Sequence, residues 1–390
     1  MKTKCFQRSS LAGILLAGVI LTGMRTEGQE GKRIGGALRP FVESRSLAGA
    51  VVLVADREKV LSLEAVGFED VAAKKGMRTD ALFWVASQSK PITATALMML
   101  VDEGKIKLDD AVEKYLPEFR ELWLAAYRDK DHLLLKRPGE AITVRQILSH
   151  TSGLAFASAM EQPTLDGLPL KVAVKSYAMT PLLFEPGSKY QYSNAGINTA
   201  GRLIEVISGL SYEDFLKTRL LEPLGMKDTT FRPDERRIAR LAKSYKANAS
   251  KTDLEEITIG QLTYPLNGRD RQPMPAGGLF STAEDISKFC RMILNGGVWE
   301  GKRLVSEASV NEMTTRQTVA GISENYGLGW ATWGDGYGHG GAFATNMSID
   351  SKRGLITVFQ VQHAGFPGNG DKSQEAFKRA VEEEFGKKDK

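Results

Sequence analysis

The chain is poor in cysteine and histidine, and this scarcity excludes several kinds of protein. Its 390 residues include two cysteines and four histidines. Cys5 precedes an apolar N-terminal run, so loss of a leader would leave Cys290 alone and no internal disulfide could form. His132 and His363 have no partner at metal-ligand spacing, and the zinc pattern H-E-x-x-H does not occur. The sequence therefore predicts no disulfide scaffold, no metal and no cofactor.

An excess of charge of one sign is also missing. The chain has 52 Lys and Arg against 47 Asp and Glu, a formal net charge of +5. Residues 1–28 contain four basic residues and one acidic residue, so their removal would lower the net charge to about +2. This balance does not call for a nucleic acid or another polyanion as partner.

Only one long apolar run occurs, and it lies near the N-terminus. The run LAGILLAGVILTGM at 11–24 follows MKTKCFQRSS, which carries three positive charges. The run is too short for a comfortable membrane span and fits the hydrophobic region of an export signal. We therefore expect residues 1–28 to be a signal peptide and the protein to be periplasmic or secreted. An uncleaved signal would instead tether the chain to a membrane.

The remaining chain predicts an α+β fold with two lobes. The runs AGAVVLVAD and KVLSLEAVG predict an antiparallel hairpin. Further strands are predicted between Tyr326 and Gln362, and a helix is predicted at 372–385. We predict an antiparallel sheet flanked by helices, formed by residues 32–105 and 266–386. A mainly helical lobe, residues 106–265, is inserted between these segments, and the functional site is expected in the cleft between the lobes.

A serine and a lysine lie one helical turn apart at the start of the apolar stretch WVASQSKPITATALMMLVDEG. Ser87 and Lys90 share a helix face, and Pro91 fits the first turn, which has no internal hydrogen bonds to lose. A serine hydroxyl is a weak nucleophile until a base takes its proton. A lysine provides that base when burial lowers its pKa from about 10.4. The structural alternative is a capping serine followed by a solvated lysine.

A second pattern, Tyr192-Ser193-Asn194, is the only Y-x-N in the chain and follows a loop that contains Pro186-Gly187. A phenol close to a lysine ammonium is expected to ionise more easily, which makes Tyr192 a second candidate base. The amide of Asn194 can orient a substrate carbonyl or amide. A packed aromatic followed by a helix-capping asparagine is the structural alternative.

A third pattern, His339-Gly340-Gly341, leads into a predicted strand. Glycines at this place let a substrate approach the backbone closely. The N–H group of Ala342 would then pair with that of Ser87 as an oxyanion hole. A glycine pair that only bends the chain is the structural alternative.

These three motifs, in this order, resemble the serine β-lactamase and penicillin-binding protein superfamily. The similarity is to its branch of class C β-lactamases, DD-peptidases and family VIII esterases, in which S-x-x-K is followed by Y-x-N and a K-T-G-like triplet. Further family-like stretches are ITVRQILSHTSGL, FEPGSKYQYSN, LLEPLGMKDTTF and MPAGGLFSTAEDISKF. The resemblance spans about residues 35–385.

The resemblance implies roles for the motif residues. Ser87 would be the acylated nucleophile, and Lys90 and Tyr192 would share proton transfer. Asn194 would hold the acyl side of the substrate. The N–H groups of Ser87 and Ala342 would form the oxyanion hole.

The third motif departs from K-T-G, because His339-Gly340-Gly341 lacks the lysine charge and the hydroxyl that would meet a β-lactam carboxylate. A neutral imidazole can still donate one hydrogen bond. We therefore expect a serine hydrolase that cleaves a small ester or amide through an acyl-enzyme, with weak or no β-lactamase activity.

Two alternatives stay open within this reading, and a third is excluded. The chain could be a peptidase of the DD-carboxypeptidase or D-aminopeptidase type, or a non-catalytic penicillin-binding sensor that kept the fold. An α/β-hydrolase would need G-x-S-x-G downstream of the glycine pair, and that motif does not occur. The sequence leaves the natural substrate and the oligomeric state open.

Overall fold

The computed structural model describes residues 34–386. Its α-helices are Arg39–Glu43 (α1), Ser89–Asp102 (α2), Val144–Leu148 (α3), Leu170–Met179 (α4), Asn194–Ser208 (α5), Tyr212–Leu216 (α6), Glu235–Ile238 (α7), Ala283–Leu294 (α8), Glu307–Thr314 (α9) and Ser373–Phe385 (α10). The predicted signal peptide, residues 1–28, lies outside the described residues. Over residues 34–386, no helix has the length and apolar character required to cross a bilayer.

The strands are short except at the centre of the main sheet. They are Gly49–Ala55 (β1), Val60–Asp70 (β2), Lys75–Gly76 (β3), Phe83–Trp84 (β4), Leu124–Arg128 (β5), Leu133–Lys136 (β6), Ser244–Ala247 (β7), Leu254–Ile257 (β8), Phe280–Ser281 (β9), Val298–Trp299 (β10), Lys302–Arg303 (β11), Ala331–Trp333 (β12), Gly336–Gly340 (β13), Asn346–Asp350 (β14) and Leu355–Gln360 (β15).

Seven of these strands form one antiparallel sheet in the order β12-β13-β14-β15-β1-β2-β3. The sheet joins both ends of the described chain, because β1 pairs with β15 as well as with β2. The predicted hairpin β1–β2 is confirmed, and so is the return of strands near the C-terminus. The α+β class with an antiparallel sheet flanked by helices is therefore confirmed.

Both faces of the sheet are covered, which explains why β1 is apolar along its whole length. Successive side chains of a strand point to opposite faces. Val51 and Leu53 belong to the larger core, which includes α8, whereas Val52 and Val54 belong to a second core with Phe377 of α10. Every residue of β1 is buried, so this strand does not need the alternation of polar and apolar residues that a strand with one exposed face shows.

Helix α2 lies inside the larger core and contacts α5, α6 and α9. Residues Ser89 to Leu100 are all buried in it. The helix is preceded by a 3-10 turn at Ala86–Gln88 and ends before Gly104, whose φ of +71° stops it. The helix predicted at the apolar stretch that begins with Ser87 and Lys90 is thus present, and it is buried.

The middle of the chain is less helical than its patterns predict. Residues 106–265 contain α3 to α7, but they also contain the hairpins β5–β6 and β7–β8. The strand β6 is the exposed run LLLK, which has no alternation that would mark it as a strand. The described residues belong to one compact unit, and the division into two lobes stays a prediction.

Candidate active site

Ser87 lies in the 3-10 turn that leads into α2 and is partly exposed. The residue before it, Ala86, has a φ of +47°. This left-handed conformation disfavours residues with a Cβ, by about 1–2 kcal/mol, and such strained residues cluster at functional sites. The sharp turn leaves the Ser87 hydroxyl accessible at the start of a buried helix.

The side chain of Lys90 is fully buried and contacts three oxygen atoms. Its Nζ lies 3.1 Å from Ser87 Oγ, 2.8 Å from Asn194 Oδ1 and 2.7 Å from the carbonyl oxygen of Ala276. Amide and peptide carbonyl oxygens only accept hydrogen bonds. A neutral amine has two N–H groups and one lone pair, so bonds to Asn194 and Ala276 leave the lone pair for the Ser87 hydroxyl.

The electrostatics of the site favour this neutral form. Burial removes the Lys90 amine from water and holds its pKa well below the ordinary value for lysine. Among the described residues, no carboxylate forms an ion pair with Lys90 that would oppose this effect. The amine therefore loses its proton at a lower pH than an exposed lysine does, which makes it a candidate to accept the Ser87 proton.

Tyr192 completes the contacts around the serine. The Lys90 Nζ lies 4.6 Å from the centre of its ring, and its phenol lies beside the Ser87 side chain. Burial raises the pKa of Tyr192 above the ordinary value for tyrosine, and the neighbouring Ser87 hydroxyl opposes this only in part. The expectation that this phenol ionises more easily is therefore wrong, because burial dominates and a neutral amine offers it no positive charge.

Asn194 is the first residue of α5, which Ser193 caps by accepting from the N–H of Gly196. Its side chain is nearly buried, and its amide oxygen is taken by Lys90. Within residues 34–386, its amide nitrogen has no acceptor. That nitrogen is therefore the part of Asn194 that can reach a substrate.

The end of β13 lies against the turn that carries Ser87. A Cβ on Gly341 would be 2.5 Å from the Val85 carbonyl oxygen, whereas one on Gly340 would meet nothing closer than 3.6 Å. Thr345 ties the two segments together, because its Oγ1 donates to the Val85 carbonyl and its carbonyl accepts from the Gly341 N–H. Gly341 is thus required for a close approach, and Gly340 is not.

Ala342 follows directly and is exposed. In the described part of the chain, no acceptor bonds its N–H group. This N–H and that of Ser87 lie on two segments that Gly341 and Val85 hold in contact. An oxyanion hole formed by Ser87 and Ala342 is consistent with this arrangement and stays a prediction.

His339 is buried, and both of its ring nitrogens are used within the protein. Nδ1 lies 2.7 Å from the Gly340 carbonyl oxygen and Nε2 lies 2.9 Å from the Tyr326 hydroxyl. The carbonyl can only accept, so Nδ1 donates and Nε2 accepts from Tyr326. Burial lowers the pKa of His339 to about 3. The expected hydrogen bond from the imidazole to a substrate is therefore not available in this structure, because its one proton is already donated.

The sequence gives no sign of one contributor to the site. The Ala276 carbonyl holds Lys90, but a backbone oxygen leaves no signature in residue type. His150 lies in a turn beside the site, with a φ of +61°. Its Nδ1 accepts from the Ser193 N–H at 3.1 Å, and its ring centre lies 4.5 Å from that of Tyr192. The His150 ring therefore packs against the ring of Tyr192.

Comparisons with known proteins agree with this geometry. The family model described as Beta-lactamase matches residues 35–380. Penicillin-binding protein 4 of Amycolatopsis lactamdurans is 33% identical over 69% of this chain and 68% of its own length. Esterase EstB of Burkholderia gladioli is 33% identical over 49% of this chain and 48% of its own.

A solved structure gives the same fold. The structure of simvastatin synthase (LovD) from Aspergillus terreus has a TM-score of 0.76 at 21% identity and covers 91% of this chain and 98% of its own. At that identity the likeness concerns the fold alone. The family match over residues 35–380 covers most of the chain. The chain therefore belongs to the beta-lactamase family and is a serine hydrolase of that family.

Proposed function

We propose that this protein hydrolyses a small ester or amide through an acyl-enzyme formed on Ser87. The observation that carries the proposal is the fully buried Lys90 amine, 3.1 Å from the serine hydroxyl and with its N–H groups directed to two other oxygens. This arrangement supplies the base that a serine hydroxyl needs before it can act as a nucleophile.

The proposed reaction has two halves. In the first, Lys90 takes the Ser87 proton, Oγ attacks the substrate carbonyl carbon, and the bond to the leaving group breaks as that group receives the proton. The N–H groups of Ser87 and Ala342 stabilise the negative oxygen of each tetrahedral intermediate. In the second half, water loses a proton to Lys90 and attacks the acyl carbon, and the bond from that carbon to Ser87 Oγ breaks as Oγ recovers the proton and the acid is released.

In this scheme Tyr192 acts as a neutral phenol. Its position beside Ser87 and Lys90 allows it to pass a proton between Lys90 and the leaving group, donating one proton as it receives another. A phenolate is not needed. The raised pKa of Tyr192 keeps the phenol protonated at the pH values at which Lys90 is neutral.

The substrate preference follows from His339. Its ring is uncharged and its proton is donated to Gly340, so this position offers nothing that would pair with a substrate carboxylate. An ester without that carboxylate therefore fits better than a β-lactam antibiotic. The similarity to an enzyme named as an esterase supports the same preference.

A substrate panel tests the proposal. The purified protein is assayed with p-nitrophenyl butyrate, a D-alanyl-D-alanine peptide, a D-amino acid amide and nitrocefin, and Ser87 is probed with a fluorophosphonate. We expect rapid turnover of the ester and slow or no turnover of nitrocefin. Release of D-alanine at a higher kcat/KM than ester cleavage would instead assign a peptidase, and the absence of any adduct on Ser87 would assign a non-catalytic module.

The close approach at Gly341 gives a further prediction. Gly341→Ala should lower kcat/KM for the ester about a hundredfold, since a misplacement of about 1 Å at a catalytic centre has an effect of this size. The new Cβ meets a backbone oxygen, which cannot rotate away. Gly76→Ala is the matched control and should retain wild-type kinetics, because a Cβ at this position on the opposite edge strand β3 would meet nothing within 4 Å. Equal activity of the two variants would contradict the role given to Gly341.

We also propose that the protein is exported, on the basis of the basic and apolar segments within residues 1–28. Mass spectrometry of the protein from a periplasmic or culture fraction of its host should show a new N-terminus close to Gln29. Recovery of the intact chain only from the cytoplasm would refute the proposal.

A further inference from the structure

A chain of hydrogen bonds runs from Lys90 into the protein interior, away from Ser87. The Ala276 carbonyl accepts from Lys90, and the Ala276 N–H donates to Asn198 Oδ1 at 3.0 Å. Asn198 Nδ2 donates to the Tyr177 hydroxyl at 2.9 Å, and this hydroxyl donates to Glu161 Oε1 at 2.6 Å. All five residues are at most 2% exposed.

The donors in this chain all point the same way. Each group between Lys90 and Glu161 accepts one hydrogen bond and donates the next. Hydrogen bonds arranged in this way polarise one another in a low-dielectric interior. The carboxylate at the end is a strong acceptor, so it strengthens the chain as far as the Ala276 N–H, and from there the Ala276 backbone connects it to the carbonyl that holds Lys90.

Glu161 is an unusual residue to find at this depth. Burial raises the pKa of its carboxyl, and within residues 34–386 no lysine, arginine or histidine pairs with it. Its second oxygen accepts from the Ser158 N–H at 2.8 Å. Both oxygens therefore act as acceptors, which an ionised carboxylate does best.

The residues next to Ala276 are held by separate contacts. The Pro275 carbonyl accepts from Thr93 Oγ1 at 2.8 Å, and Thr93 is in turn bonded to the Tyr212 hydroxyl. A Cβ on Gly201 would lie 2.3 Å from the Pro275 ring, so α5 packs tightly on this segment. Asn198, on the same helix, accepts from the Ala276 N–H, which belongs to the same peptide group as the Pro275 carbonyl.

We propose that Asn198, Tyr177 and Glu161 are positioning residues for the Ser87 reaction. They hold the backbone of Ala276 through its N–H, and the Ala276 carbonyl, in the next peptide group, fixes one N–H of Lys90. With the other N–H on Asn194, the lone pair of the amine stays directed at Ser87. None of the three touches the serine or a substrate. The inference rests on the proposed function, since it concerns the base of that reaction.

The simpler explanation is that these residues only stabilise the fold. Glu161 forms a capping box with Ser158 at the 3-10 turn Ala159–Glu161. In addition, removal of the hydroxyl group from a buried, hydrogen-bonded tyrosine lowers the stability of a protein wherever that tyrosine lies. The two explanations differ in kinetics. A positioning role lowers the reactivity of Ser87 and kcat with little change in KM, whereas a structural role lowers the unfolding temperature alone.

The test compares Tyr177→Phe with Tyr245→Phe. Tyr245 is also buried, and its hydroxyl accepts from the Val71 N–H at 2.8 Å in another part of the fold. We measure the rate constant for labelling of Ser87 by a fluorophosphonate, together with kcat and KM for p-nitrophenyl butyrate. Tyr177→Phe should lower the labelling rate and kcat about tenfold, with KM within about twofold of wild type. Tyr245→Phe should match wild type in all three.

A second variant, Asn198→Ala, removes the direct contact with Ala276 and should lower both rates about a hundredfold. If this variant does not fold, Tyr177→Phe decides alone. Labelling of Tyr177→Phe at the wild-type rate would overturn the inference and leave the proposed function intact. A wild-type protein that is not labelled on Ser87 would overturn the proposed function, and the inference would fall with it.

Discussion

Replacement of Ser87 by alanine is expected to lower kcat/KM by at least about 10⁴-fold, whatever ester or amide is turned over. The substitution removes the oxygen on which we propose that the acyl-enzyme forms, while Lys90 and the N–H groups proposed for the oxyanion hole remain. Losses of this order accompany removal of a serine nucleophile, and the residual rate comes from binding and the oxyanion hole. The measurement is steady-state hydrolysis of the best substrate of the panel, with intact mass analysis of the trapped acyl-enzyme.

Ser287→Ala is the matched control for this variant. Ser287 is buried in α8, and its Oγ donates to the Glu284 carbonyl one turn earlier. Its loss removes a buried serine hydroxyl without touching the site, so turnover should stay at the wild-type level. Near-wild-type turnover by Ser87→Ala, or an acyl group mapped to another residue, would remove the nucleophile assignment.

Replacement of Lys90 by methionine should have the second largest effect, a loss of kcat/KM of about 10³-fold. Methionine preserves most of the buried volume but removes the base, and the loss of a general base lowers rates by about 10²–10⁴-fold. Lys288→Met is the control, since Lys288 donates to Gly225 and Asp285 on another surface. A Lys90→Met enzyme within tenfold of wild type would assign the proton transfer to Tyr192.

The pH dependence of the wild-type activity follows from the same residue. The reaction needs the neutral amine, so kcat/KM should rise with pH through the pKa of Lys90 and then level off. Because burial lowers this pKa well below the ordinary value, the plateau should begin well below pH 10. A rate that climbs until about pH 10.4, the ordinary pKa of lysine, would mean that the amine is charged in the folded protein.

Lys90 should also appear in the pH dependence of stability. Its pKa is lower in the folded state than in the unfolded state, so between these two values the unfolded chain binds one more proton. The free energy of unfolding therefore rises with pH in this window, by about 1.4 kcal/mol per pH unit for one proton. Above about pH 10.4 both states hold a neutral amine and the effect ends.

Comparison with Lys90→Met isolates this contribution, because the other ionisable groups are shared. The difference in unfolding free energy, wild type minus variant, should increase with pH as the ordinary lysine pKa of about 10.4 is approached from below in denaturant titrations. A difference that stays constant over this range would show that the folded and unfolded states hold the proton equally, which contradicts a buried neutral amine.

Much of the fold could be predicted from the sequence, because the signals there are local. The hairpin β1–β2 and the helix α2 follow from apolar runs bounded by turn residues and by Gly104. The pair β5–β6 could not be found in this way, since the exposed LLLK strand has neither alternation nor a buried face. Its strand character comes only from pairing with β5.

The candidate site was also predictable only in part. The S-x-x-K spacing predicted that Ser87 and Lys90 share a helix face, and the atoms are 3.1 Å apart. The state of Tyr192 was predicted in the wrong direction, because the sequence indicates a neighbouring amine but not how far water is excluded. The donor role of His339 failed for a similar reason, since Tyr326 and Gly340 occupy both ring nitrogens.

The sequence by itself determined the kind of chemistry: a serine and an amine one turn apart on an apolar helix, with later motifs in the order typical of one family. Only the tertiary structure decided the protonation state of the amine and the partners that fix it. Burial of Lys90 depends on α5, on Ala276 and on β13, which are distant in the chain. Protonation depends on the free energy of solvation, and solvation is a property of the packed interior, which no local pattern of residues records.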